Sequence, residues 1–140
     1  MTHECPTSRL QRLTIVVALL FGLLTLFAGG RVLLGADAGH VVVMPLLLFN
    51  TLMGAAYVGA AILLRRDLRL GRTAAGIIAL LNLLALASLL LYARDGGLVA
   101  ADSFRAMTLR TGVWAALFAA AGWVLRRQRK ALHPGIAQPG

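Results

Sequence analysis

Four long uncharged runs organise the chain. They cover residues 13–30, between Arg12 and Arg31; 41–64, followed by Arg65 and Arg66; 73–93, between Arg72 and Arg94; and 111–125, between Arg110 and Arg126. Inclusive counting gives 18, 24, 21 and 15 residues. About 20 helical residues, at about 1.5 Å each, cross a hydrocarbon core of about 30 Å. The fourth run is short, but Ser103 offers an N-cap to a helix that begins at Phe104 and passes Arg105 and Arg110 before its apolar part. Residues 104–125 then suffice, with both arginines snorkelling or turned toward the protein interior. A buried helix of a soluble bundle carries a polar stripe every three or four positions. The stretch 77–91 offers only Asn82 and Ser88 and no charge. The pattern predicts an all-α, integral membrane four-helix bundle. Its spans lie at about 11–30, 41–64, 73–93 and 104–125 in a domain of residues 1–130, and a disordered tail follows at 131–140.

Composition agrees with the pattern. Of 140 residues 59% are hydrophobic and 14% charged, against roughly 25% charged in soluble domains. So few charges cannot cover a soluble protein of this size, and the solvent that fits is lipid. A net charge of +9 would suggest nucleic acid in a soluble protein. Here all 14 Lys and Arg lie outside the apolar runs, clustered at their flanks, where they read as topology signals and imply no nucleic-acid partner. Ten of them, Arg9, Arg12, Arg65, Arg66, Arg69, Arg72, Arg126, Arg127, Arg129 and Lys130, fall on one side; Arg31, Arg94, Arg105 and Arg110 fall on the other. Both termini are therefore expected in the cytoplasm, with neighbouring helices antiparallel across short loops. The cluster Arg65, Arg66, Arg69, Arg72 suits contact with anionic lipid, although setting orientation accounts for it. A cleaved signal peptide fits the first span loosely, because Arg31 falls between the apolar core and the small residues Ala36 and Ala38.

Apolar burial gives helices little reason to associate in lipid; close packing and interhelical hydrogen bonds decide the matter. The second span carries Gly54, Ala55, Ala56, Gly59 and Ala60, with Ala55–Gly59 and Ala56–Ala60 four apart. The fourth has Gly112, Ala116 and Ala120 in one row, beside Ala115 and Ala119. These rows are expected to be contact surfaces, within the bundle or between protomers.

Polar candidates are few. Asn50 lies ten residues into the second span from the outer end and Asn82 ten into the third from the inner end, so both amides fall near mid-membrane. They are expected either to hydrogen-bond each other or to mark a polar path. Arg110 lies about two turns into the fourth helix, with Asp37, Asp95 and Asp102 as possible partners; a structural pairing or a contact with an anion, headgroup or quinone both remain open. His40 sits at the outer boundary, where it can titrate, bind a metal or donate to a headgroup. Pro45 falls in the first turn of the second span, where it breaks little. Tyr57, Tyr92, Trp114 and Trp123 fit depth anchors or packing residues.

Other chemistry is thinly supported. His3, Glu4 and Cys5 are adjacent potential ligands without a C-x2-C or H-x3-H complement, so no metal site is expected. One cysteine forms neither an intrachain disulfide nor a redox pair. No carboxylate lies inside a span, no GxSxG, HExxH or P-loop pattern occurs, and no two histidines face the core for bis-histidine haem. No enzyme activity and no cofactor are expected.

The segment PLLLFNTLMGAAYVGAAILLRRDLRLGRTAAGIIALLNLLALA resembles the middle of small bacterial four-span membrane proteins of the DoxX-like type. SFRAMTLRTGVW is similar to the fourth-helix entrance of uncharacterised proteins of this size. The resemblance implies a four-helix bundle in a bacterial inner membrane, sometimes an accessory subunit of a redox system, and transfers no catalytic residue. The expected role is association, as an accessory subunit or self-associating bundle whose partners are the bilayer and a second copy or another membrane protein. The alternative is a small transporter or channel with a polar path between helices 2, 3 and 4.

Overall fold

The computed structural model describes residues 6–37 and 44–132. They form α1 (Pro6–Leu33), α2 (Met44–Arg66), α3 (Leu68–Arg94) and α4 (Ala101–Leu132). Each helix is long and apolar enough to cross a membrane. Helices α1 and α2, α2 and α3, α3 and α4, and α4 and α1 pack together, which closes a four-membered ring.

The burial pattern identifies the solvent. Leu24 and Phe27 on α1, Leu52 on α2 and Leu80 on α3 face outwards and are more than half exposed. The buried side chains include Thr14, Thr25 and Asn82, among the few polar residues available. A water-soluble bundle distributes these the other way round. Hydroxyls in the helices are satisfied locally: Thr14, Thr25, Thr51, Ser88 and Thr111 each donate to the carbonyl four residues earlier, at 2.8–2.9 Å. These features define a small multi-pass membrane protein.

Close approach of backbones holds the ring. A Cβ on Gly22 would stand 2.9 Å from the backbone nitrogen of Val58, and one on Gly54 would stand 2.9 Å from that of Leu26; Gly29 faces Thr51. Gly71 meets the backbone of Leu64 where α2 turns into α3. At the helix ends, Gly35 and Gly96 take φ of 96° and 86°, the left-handed geometry that ends helices with least strain.

Helix α1 runs from Pro6 to Leu33 where about 11–30 was expected, and three further boundaries differ from the sequence reading. Residues 65–72 were expected to form a connecting loop, yet α2 and α3 are separated by Asp67 alone. Its carboxylate accepts from the backbone N–H groups of Arg69 (2.8 Å) and Leu70 (3.2 Å). Arginine is a good helix former, so the basic residues extend both helices beyond their apolar parts. Ser103 is not the N-cap of α4: the helix starts at Ala101, and the Ser103 N–H donates to the Ala100 carbonyl at 3.0 Å. Asp102 in the first turn opposes the helix dipole and so favours the earlier start. The last helix also runs to Leu132, past the expected beginning of the tail; residues 133–140 lie outside those described.

Candidate functional site

Three buried side chains with polar groups meet where α2, α3 and α4 converge. Tyr57, Asn82 and Trp114 are each 0% exposed. The Tyr57 hydroxyl donates to Asn82 Oδ1 at 2.9 Å. Its ring lies 4.7 Å, centroid to centroid, from that of Trp114 and 5.9 Å from that of Phe21 on α1. One side chain from each of the four helices thus enters a single cluster.

Asn82 pairs with Tyr57 and not with Asn50. The register explains the choice. Gly71 of α3 lies against Leu64 of α2, so eleven residues on, Asn82 lies level with Met53, about one turn from both Asn50 and Tyr57. Side chains lean toward the N-terminus of their own helix. That tilt brings Tyr57 and Asn82 together and carries Asn50 the other way. Tyr57 also has the longer reach. The Oδ1 of Asn50 is buried without a hydrogen-bond partner.

Donors outnumber acceptors here. Asn82 Nδ2 and Trp114 Nε1 are both buried and unpartnered, and each such group costs about 1–3 kcal/mol when left unsatisfied. Half-buried Arg110, one turn before Trp114, directs its guanidinium to the sulfur of Met107 at 3.6 Å. Of the expected carboxylate partners, Asp102 pairs instead with Arg105 at 3.6 Å, with both side chains largely exposed. Asp102 and Arg105 are three apart on one helix face, which gives that pair the shorter path. What the cluster offers chemically is hydrogen-bond donation to an acceptor oxygen.

The small-residue rows fall into two groups. Gly54 is buried against α1, as expected of a packing residue. Ala55, Ala56 and Gly59 face outwards, as do Gly112, Ala115, Ala116 and Ala119; Ala120 is half-buried. Nothing lies within 4 Å of a Cβ placed on Gly59 or Gly112. The intramolecular contacts keep only Gly54 and Ala60 of those expected residues and otherwise use Gly22, Gly29, Ala61, Gly71, Ala75 and Ala121. His40, His3, Glu4 and Cys5 lie outside the described residues. Of the remaining aromatics, Trp123 is partly exposed with the Arg127 guanidinium 3.8 Å from its ring centroid, and Tyr92 is half exposed.

Sequence reasoning took Trp114 for an anchor or packing residue and did not join it to Tyr57 and Asn82. A signal was present: Met107, Arg110, Trp114, Leu117 and Ala121 follow the three- and four-residue spacing of one helix face. No family model matches the chain, and neither does any curated protein or solved structure.

Proposed function

We propose that this is a non-enzymatic integral membrane protein that acts by lateral association, as an accessory subunit or a self-associating bundle. Its place is a bacterial inner membrane, with neighbouring helices antiparallel and both termini cytoplasmic; a DoxX-like relationship belongs to the same proposal. The order of contacts supports the helix arrangement, since Gly22, Leu26 and Gly29 of α1 meet Val58, Gly54 and Thr51 of α2 in reverse sequence. The excess of Lys and Arg on one side supports the orientation.

The observation that carries the functional reading is the outward face of α4. Gly112, Ala115, Ala116 and Ala119 form a flat strip without long side chains on a helix whose inward face is already packed. Such a strip lets a second membrane helix approach closely enough for backbone contacts. The test is the mass of the complex extracted in mild detergent. Gly112→Leu, Ala116→Leu and Gly59→Leu are expected to reduce it to the single chain, and unchanged mass in all three removes the proposal. A second reading, a polar path between α2, α3 and α4, draws on the unpartnered donors of Asn82 and Trp114. Liposome flux that survives Asn82→Leu and Arg110→Ala disposes of it.

A further inference from the structure

We propose that the groove between α3 and α4, at the basic end of the bundle, binds an anionic phospholipid, with its headgroup on four arginines and an acyl chain in the apolar part. The inference rests on reading the helices as membrane spans, and is independent of what the bundle associates with. The groove has a volume of about 660 Å³, within the roughly 300–1,000 Å³ of small-molecule sites. Arg69 and Arg72 of α3 and Arg126 and Arg129 of α4 line one part; Ile77, Leu80 and Phe118 line another.

Three observations point to a ligand of that shape. First, among the described residues none of the four arginines is ion-paired, and the nearby carboxylate, Asp67, is engaged in capping α3. Helical spacing puts Arg69 and Arg72 on one face and Arg126 and Arg129 on another, so their charges add at one place. Secondly, Arg72 lies across the floor of the groove. Its guanidinium is 4.7 Å from the Phe118 ring centroid, while its Nε is buried without a hydrogen-bond partner. Two glycines make room for this arrangement: a Cβ on Gly122 would stand 3.1 Å from that Nε, and one on Gly76 would stand 3.0 Å from the Phe118 ring. Thirdly, Ile77 and Leu80 are 54% and 57% exposed, so the groove opens sideways toward the bilayer.

A soluble anion would use only the arginines. A zwitterionic lipid would place its own cation among them. An anionic phospholipid complements both parts, the chemistry by which basic pockets between membrane helices hold lipid headgroups. Arg65 and Arg66, next to this site in sequence, do not line the groove. That separates a built site from general attraction to a charged surface.

The experiment is native mass spectrometry of the detergent-purified full chain incubated with dioleoyl phosphatidylglycerol, dioleoyl phosphatidylcholine or inorganic phosphate. The expected result is retention of phosphatidylglycerol over the other two. Arg126→Gln with Arg129→Gln removes two exposed charges beyond the apolar part of α4. It should weaken retention about thirty-fold, which is about 2 kcal/mol at about 1.4 kcal/mol per factor of ten. Arg65→Gln with Arg66→Gln should change it less than about threefold. Arg72→Gln is measured separately, and is expected to weaken retention without altering helix content by circular dichroism. Equal retention of the two lipids overturns the proposal, as does equal loss in the two double variants. Phosphate bound as tightly as phosphatidylglycerol also overturns it, because the acyl groove then contributes nothing.

Discussion

Two glycines five residues apart on α2 should respond in opposite ways to one methyl group. Gly54 is buried where α1 crosses: its Cβ would meet the Leu26 backbone nitrogen and Cγ at 2.9 Å and the Leu26 Cα at 3.3 Å. Ordinary contact between such atoms is about 3.5–4.0 Å, so Gly54→Ala must push the helices apart by roughly 0.6–1 Å. Backbone atoms cannot rotate out of the way, and the separation is transmitted to the Gly22–Val58 and Gly29–Thr51 contacts on either side. Overpacking of this kind costs about 1–3 kcal/mol, or about five- to more than a hundred-fold in the unfolding equilibrium. At Gly59 the same methyl meets nothing within 4 Å, and alanine is the better helix former by up to about 1 kcal/mol. Gly59→Ala should therefore leave stability unchanged or raise it. Unfolding of each variant in mixed detergent micelles, followed by circular dichroism, makes the comparison directly. Wild-type stability in Gly54→Ala, or equal losses in both variants, would refute the claim that backbone proximity between α1 and α2 holds the bundle together.

Other substitutions probe the interior. A double-mutant cycle with Tyr57→Phe and Asn82→Leu should return a coupling of about 0.6–1.7 kcal/mol, the range for interhelical hydrogen bonds in membranes; zero coupling in the same unfolding assay would mean that the 2.9 Å contact contributes nothing. Trp114→Ala, at a position with no exposure, should destabilise by about 3–5 kcal/mol, with Trp114→Phe recovering most of it and gaining from removal of the unpartnered Nε1–H. Asp67→Ala should cost about 1 kcal/mol through loss of the cap on α3, and Asp67→Asn should restore it. Asn50→Leu should be neutral or stabilising, because its Oδ1 has no partner to lose.

The fold was legible because its signal is coarse. Four uncharged runs between arginines survive any error of a few residues in their limits, and the α-helix is the one open-ended structure that satisfies its backbone in lipid. Contacts were less legible, for reasons that particular residues illustrate. Gly54 and Gly59 are both small members of the second span and lie five residues, about 140°, apart around the helix; one faces α1 and the other faces outwards. Only the azimuth of the helix distinguishes them, and a helix apolar all round carries no stripe from which to read it. Asn50 and Asn82 were matched by depth. Their failure to meet turns on side-chain tilt and on a register set by the Gly71–Leu64 contact, neither of which depth counting includes. Arg72 read as one of four topology charges; its position over Phe118 depends on Gly122, fifty residues away in the chain.

These differences share a cause that bears on function. In water, the face a helix buries is the apolar one, so the outside is left polar and free to carry function. In lipid the apolar side chains gain nothing by turning inward, and the interior goes to whatever packs closest or finds a hydrogen bond: glycines, alanines, Tyr57, Asn82, Trp114. The outside then consists of leucines, which are indifferent to their neighbours, interrupted where something else stands. Two interruptions are large here, the small-residue strip of α4 and the arginine-lined groove between α3 and α4. The same helix presents both, so an occupant of the groove adjoins any helix seated on the strip. If each site is filled as proposed, an anionic phospholipid should alter the stability of the associated form, and the groove variants Arg126→Gln and Arg129→Gln should reveal that dependence without touching the strip itself.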